Sequence, residues 1–304
     1  MTQSVVVERS HEIAIGDVQP QLRLGLTCDA VGKTVVCDRY MAYPLSVSPP
    51  FRLDSDGTAT QQRSQSQRMY LYRMNTSPGL LAGDRLDMSV QLEAGAQLLL
   101  ADQAATKVHM MPAESLGAVV RYRFDIYKRA TLEFLPEPLI LFADSLLAQT
   151  TEITMHPSAG LSFGEIVLPG RLARGESYQF RQFNSRIRIK SPDGRVWFVD
   201  AMRLLGQDNP FVGSELFASG AVLGTLILVL PEAISTMENL ARLSQEIDAV
   251  SAQSLSLASS VLPGGRGLLV RAIASKTQDM QTGFKAAMNC VRSLRKQCPL
   301  PYSI

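Results

Sequence analysis

The sequence predicts a β-dominated fold with two α-helices in its C-terminal half, and three observations carry that expectation. Leu86, Met88, Val90 and Leu92 alternate strictly with Asp87, Ser89, Gln91 and Glu93, the period-two pattern of a half-buried strand. Ser191-Pro192-Asp193-Gly194 separates the runs 181–190 and 195–201, a clear hairpin signal. Helical spacing of apolar residues is confined to 231–253 and 275–297, each long enough for several turns.

Taken in order, strands are expected at 4–15, 21–29, 34–39 and 67–74, with loops marked by Pro44, Pro49-Pro50 and Asp54-Ser55-Asp56-Gly57. The polar, glutamine-rich stretch 58–67 predicts a mobile segment. A Pro78-Gly79 turn and Gly83 precede the strand from Leu86, Ala94-Gly95 interrupts it, and Gln97 to Ala101 resumes as a more buried strand. The following run, Asp102 to Lys107, is poor in bulk. It suits either the polar end of an ordinary hairpin or a backbone that something must approach closely. Further strands are expected at 118–127, 131–134, 146–155, 161–168, 219–230 and 267–274. The first helix is expected to start at Pro231 with Glu232 in its first turn, and the second carries Met280, Phe284, Ala287, Met288 and Val291 on one stripe. The chain reads as one domain over 1–304, β-rich to 230, then two helices with a strand between. A sandwich satisfies this pattern on physical grounds alone.

Composition narrows the function. Of 304 residues, 46% are hydrophobic and 19% charged, below the usual charged share of about 25%. So apolar a surface predicts burial against partners and poor solubility alone. A net charge of +2 argues against a nucleic-acid binder. The longest apolar run, 221–230, is broken by Gly224 and Thr225 and falls short of the roughly 18 residues a membrane span needs. Residues 1–10 lack the basic and apolar regions of a signal peptide. Cys28, Cys37, Cys290 and Cys298 form no close pair, so a cytoplasmic chain with reduced thiols is expected.

Familiar catalytic patterns are missing. Gly32-Lys33-Thr34 would need a glycine where Thr27 stands to form a phosphate loop. No Gly-x-Ser-x-Gly elbow occurs, and His11, His109 and His156 are not spaced as a hydrolase metal centre. His109-Met110-Met111 is the one soft-ligand cluster, but neighbours on a strand point to opposite faces. His109 is therefore a weak metal candidate, with core packing the ordinary reading of the methionines. Carboxylates in apolar surroundings (Asp84, Glu133, Asp144 and Glu176) must be paired, hydrated or functional. Lys107, Arg171 and Arg186 are available as salt-bridge partners. An oxygen-lined, hydrated passage is the alternative, since such ligands hold a divalent ion weakly and release it.

Four segments, in order, resemble the urease accessory protein family UreD, also called UreH. They are Pro78-Gly79-Leu80-Leu81-Ala82-Gly83-Asp84-Arg85-Leu86, Gln103-Ala104-Ala105-Thr106-Lys107-Val108, Leu132-Glu133-Phe134-Leu135-Pro136-Glu137-Pro138-Leu139-Ile140-Leu141-Phe142, and Gly170-Arg171-Leu172-Ala173-Arg174-Gly175-Glu176. Leu80 and Ala82 stand where the family usually has glycine, Phe134 where it often has Trp, and His109 where it has Tyr. The glycine replacements predict a stiffer or less open first loop. The resemblance implies a β-helix-like stack of short strands with two helices attached. It implies a non-catalytic scaffold that binds apo-urease and a UreF-like protein, and through it a UreG-like GTPase. It further implies that no cofactor is tightly bound and that Ni²⁺ passes in transit, through an internal channel, to a urease site whose lysine is carbamylated by CO₂. Asp84, Gln103, Thr106, Lys107, Glu133, Asp144 and Glu176 are the implied channel residues, and Pro78, Gly79, Gly83, Pro136, Gly170, Arg171 and Gly175 the implied structural ones. Two rivals stand beside this: an adaptor with no metal path, and an enzyme using two of the carboxylates as acid and base.

Overall fold

The computed structural model describes residues 19–53, 68–206 and 221–301. The strand expected at 4–15, the glutamine-rich stretch and the first two residues of 219–230 lie outside them. β1 (Leu22–Cys28) and β2 (Thr34–Met41) form an antiparallel pair. Asp29 caps their turn, accepting the N–H of Val31 and of Lys33, so Gly32-Lys33-Thr34 is the end of a hairpin. β3 (Leu45–Val47), β4 (Met69–Asn75), β5 (Arg85–Leu92), β6 (Gln97–Gln103) and β7 (Thr106–Val108) follow. Next come β8 (Ala118–Ile126), β9 (Thr131–Leu135), β10 (Leu139–Leu141), β11 (Leu146–Met155) and β12 (Gly160–Leu168). β13 (Gln182–Lys190) and β14 (Val196–Leu205) are joined by the expected hairpin, closed by Ser191 and Arg195. The described chain ends with β15 (Val222–Val229), α1 (Met237–Asp248), β16 (Leu255–Val261), β17 (Gly267–Ala274) and α2 (Thr277–Leu294).

From β4 to β13 the chain winds between two sheets. β5, β8, β11 and β13 lie parallel in a seven-stranded sheet, and β4, β6, β9 and β12 lie parallel in a ten-stranded one. Each turn of the winding adds one strand to each sheet, which makes the β-helix-like stack. The sheets are not closed: antiparallel strands end them, β2 and β14 on one and β3 and β15–β17–β16 on the other.

Ala94-Gly95 is therefore no hairpin turn, because β5 and β6 belong to different sheets. It is a corner of the winding, stacked on the next by Thr131 N–H to Ala96 O (2.9 Å) and Gly160 N–H to Ala130 O (3.0 Å). Such corners leave each inward residue level with inward residues of neighbouring turns. Along β8, Val120, Tyr122 and Phe124 face the interior between the sheets, with Val90 and Leu132 among the residues packed there.

The helices cover the outer face of the ten-stranded sheet. α1 starts later than Pro231, which opens a turn; Thr236 is the N-cap, accepting the N–H of Asn239 at 3.2 Å. A proline in a turn and one at the start of a helix look alike in sequence. α2 packs on glycine. A Cβ at Gly224 would lie 2.7 Å from Phe284 Cζ and closer still to Met280 Sδ. Gly224→Ala is expected to cost about 1–3 kcal/mol by pushing α2 off the sheet. Urea unfolding checks this, and wild-type stability would mean that α2 tolerates the shift.

Candidate functional site

Alternation along the strands predicts apolar side chains throughout the space between the sheets. One level of the stack departs from that. On β4 the inward phase runs Met69, Leu71, Arg73; on β6, Leu98, Leu100, Asp102; on β12, Leu161, Phe163, Glu165. Across from them, β11 turns Gln149 and Thr151 inward, and β13 turns Ser185 inward. These polar groups are all buried, so each must find a partner or hydration.

Most of them do. Arg73 grips Asp102 with two bonds, Nε–Oδ1 at 2.7 Å and Nη2–Oδ2 at 2.6 Å. Its guanidinium stacks on Tyr122, 4.9 Å from the ring centre, and lies 5.5 Å from that of Phe134. Burial pushes the Asp102 carboxyl above its ordinary value, against the pull of Arg73. Glu165 accepts from Gln149 Nε2 at 2.6 Å and Ser185 Oγ at 2.8 Å. Burial pushes its pKa up to about 7, with Asp200 adding to the rise and the Ser185 bond, the Arg271 cation and the Gln149 bond only partly offsetting it. Both donors reach Oε2, and none among the described residues reaches Oε1.

Arg73, Asp102, Tyr122, Gln149 and Glu165 line a cavity of about 30 Å³, room for about two waters. Asp102, Pro136 and Glu137 also line a cleft of about 510 Å³ on the outer side, bounded by Tyr72, Gln103, Gln281 and Lys285. Gln281 of α2 donates to Glu137 at 3.0 Å. Burial raises the Glu137 carboxyl, and Asp102 adds to that; burial likewise lowers the Lys285 amine, against the attraction of Glu137. Cleft and cavity thus share a wall of two carboxylates and a proline.

Of the sequence-derived candidates, the structure brings Gln103 to the cleft and Thr106 to the inner cavity. The others sit elsewhere. Lys107 is exposed, and its carbonyl accepts the N–H of Leu80 at 2.8 Å. The Asp84 carboxylate accepts the N–H of Leu81 at 2.7 Å and closes the first motif loop. Glu133 faces away from the interior, toward α2, where Arg292 binds it at 2.8 and 2.6 Å and Arg68 stands at 3.4 Å. Asp144 adopts a positive φ of 58°, and its carbonyl accepts from Arg181 Nε at 3.1 Å. Glu176 binds Arg171 and accepts the N–H of Ala143 at 2.9 Å, tying the fourth motif to the turn that follows β10. His109 Nε2 lies 3.1 Å from the Pro78 carbonyl, and its ring meets Phe142 edge-on at 5.1 Å.

The motif segments nevertheless assemble. Leu80 bridges Val108, β7 pairs with β10, and β10 pairs with the end of β12 that leads into Gly170. Gly79 (φ +147°) leaves no room for a side chain: a Cβ would lie 2.6 Å from the Lys107 carbonyl and 2.7 Å from His109 Nε2. Gly170 (φ +154°) would likewise collide with the Glu176 backbone. Leu80, at a position usually glycine in the family it resembles, is buried and joins the core.

Sequence reasoning missed Arg73, Asp102, Tyr122, Gln149, Glu165 and Ser185. The signal was a polar residue on the apolar phase of an alternating strand. Its meaning appears only when the turns are stacked and these residues share a level.

Fold and site together define a coiled two-sheet scaffold with a polar level enclosed in an apolar body. Among its described residues no three His, Cys, Asp or Glu side chains are grouped to hold a metal, and no helix is long and apolar enough to cross a membrane. The chain belongs to the UreD family: the model described as UreD urease accessory protein matches residues 19–302. It is 44% identical over 281 residues to the urease accessory protein UreD of Trichodesmium erythraeum, covering 92% of this chain and 97% of the relative. The UreD of Actinobacillus pleuropneumoniae serotype 5b is 32% identical over 277 residues, covering 88% and 95%. That of Haloarcula marismortui is 31% identical over 224 residues, covering 73% and 72%. The chain is thus a urease accessory protein by family.

Proposed function

We propose that this chain is a non-catalytic scaffold that binds apo-urease and a UreF-like protein, and through it a UreG-like GTPase, and passes Ni²⁺ to urease. The cargo enters the cleft between Gln103, Glu137 and Lys285, crosses the wall formed by Asp102 and continues through the polar level at Glu165. The observation that carries this reading is the cavity inside the stack sharing Asp102, Pro136 and Glu137 with the outer cleft. An interior built only for stability would be apolar there, because buried polar groups add little net stability and are costly when left unpartnered. Leu81, Met110 and Leu116, all at least half exposed beside the first motif loop, supply apolar contact for a protein partner. The four cysteines are free thiols, which suits the reducing cytoplasm.

The test is co-expression with urease subunits and the UreF- and UreG-like partners, reading nickel per urease and complex recovery together. Thr106→Phe, which fills the cavity rim, is expected to lower nickel loading to the level found without this chain while the complex is still recovered. Normal loading with an intact complex would favour the plain adaptor and end the passage reading.

A further inference from the structure

We propose that the outer face of the seven-stranded sheet is the surface on which this chain receives urease, through an acidic patch of that partner. The proposal rests on the scaffold reading above and adds to it the face and the chemistry of one contact. Strand pairing sets the outward side chains in rows across the sheet. One row runs Arg85, Val119, Ala148, Asn184 and Arg203, and the next Asp87, Arg121, Thr150, Arg186 and Ala201. A third runs Arg23, Ser89, Arg123, Glu152, Arg188 and Val199. Arginines outnumber carboxylates in these rows, although the whole chain carries only +2. Arg23 is paired with Asp38 at 2.7 Å. Arg85, Arg121, Arg123 and Arg186 make no ion pair among the described residues, and Arg188 stands 3.9 Å from Glu152 with its buried Nε unpartnered. Neighbouring guanidiniums repel one another, so the face gains most from a surface that brings carboxylates to it. No described element covers the rows: Arg85, Arg123, Arg186, Ala148 and Ala201 are exposed, and both helices pack on the other sheet.

The pattern favours a folded acidic protein surface over nucleic acid or lipid. Asp87 and Glu152 stand inside the rows and repel a continuous array of phosphates. A protein can set single carboxylates against the arginine forks and leave those two facing amides or hydroxyls. Leu81 and Leu116, 50% and 80% exposed, border the face at its Arg85 end, where the Gly83 N–H bonds the Leu116 carbonyl at 2.9 Å. They add the apolar anchors that protein interfaces use. Strands lie about 4.8 Å apart and residues of one face about 7 Å apart along them, so the rows from β1 to β14 cover roughly 500 Å². With the leucine border this approaches the roughly 800 Å² that each partner buries in a stable interface. Urease is assigned here because the cleft read as the entry, beside Gln281 and Lys285 of α2, opens on the outer side of the ten-stranded sheet. A partner that hands cargo in at the cleft leaves the opposite face free for the one that takes it up.

The experiment is recovery of urease by the tagged full chain, co-expressed with the urease subunits and the UreF- and UreG-like partners, in low and in high NaCl. Arg85→Glu/Arg186→Glu reverses two exposed charges whose cross-strand neighbours are Val119, Thr150 and Ala201, so it breaks no ion pair of the fold. At low salt it is expected to recover at least about tenfold less urease than the wild type, with Tm and UreF-like partner unchanged. High salt narrows that difference by weakening the wild-type contact. If the reversed pair lowers Tm, Arg85→Gln/Arg186→Gln carries the same test, with an expected loss of about threefold. Arg242→Glu/Lys276→Glu, two exposed charges on the helical side, is expected to recover urease like the wild type. Equal urease recovery by the folded face variant and the wild type overturns the proposal. So does loss of the UreF-like partner with urease kept, or binding of the wild type alone to phosphatidylserine vesicles with urease recovery unchanged. The two readings fail separately. A wild type that recovers no urease ends the scaffold reading and the face with it, whereas normal recovery that the charge changes leave untouched ends only the face.

Discussion

Glu133→Leu is expected to lose about 3–5 kcal/mol of stability and roughly 10 °C in Tm, the largest effect of any single change considered. Glu133 is 3% exposed, and Arg292 of α2, which grips it, is 1% exposed. Burial opposes the ionised carboxylate, but Arg68 and Arg292 outweigh it and hold the Glu133 pKa below its ordinary value. Removing the carboxylate leaves the Arg292 guanidinium buried without the counter-charge it grips, with neutral groups such as the Cys298 carbonyl at 3.0 Å in its place. An uncompensated buried charge is far more costly than the pair is stabilising. The double variant Glu133→Leu/Arg292→Leu should therefore recover most of the loss. Thermal and urea unfolding of the three variants decide the matter. If Glu133→Leu melts like the wild type, this pair does not seat α2 on the sheet. Urease loading should fall with the folded fraction only, since Glu133 faces the helix and not the cavity.

The second large effect is a pH dependence carried by Glu165. Its pKa rises from the ordinary 4.5 to about 7 on folding. Between those values the native chain holds a proton that the unfolded chain releases. Stability is therefore fully supported below pH 4.5, declines as pH rises through the window, and levels off above about 7. The decline is on the order of 3 kcal/mol. Glu165→Gln keeps an oxygen for Gln149 and Ser185 but has no charge to bury. It should abolish this decline and be the more stable protein above pH 7 by a similar amount. Urea unfolding of both proteins from pH 4.5 to 8.5 gives the difference curve. A difference independent of pH would show that Glu165 titrates normally in the folded chain.

Much of the secondary structure was legible because alternation is a local property. β5, β8, β11 and β13 announce themselves by apolar residues two apart, and the stripe through Met280, Phe284 and Val291 announces α2. β3, β7 and β10 have three residues each, too few to display a period. β16, Leu255–Val261, is rich in serine and gave no strand signal; its pairing with β17 defines it. Ala94-Gly95 read only as a break between two strands, because a glycine at positive φ serves a corner as well as a turn.

By itself the sequence determined where the chain alternates, where it turns and, through four ordered motifs, which family it belongs to. Those are properties of neighbouring residues or of short strings. Tertiary structure alone decided which carboxylates matter and how. Glu133 and Glu176, conspicuous in their motifs, became arginine-bound struts. Asp102 and Glu165, inconspicuous in theirs, were placed at one level with Arg73, Tyr122 and Gln149 around a small cavity. The physical reason is that a wound parallel stack brings residues from successive turns into register. Whether a buried charge is paired, or left facing water, depends on that register and on nothing within its own strand.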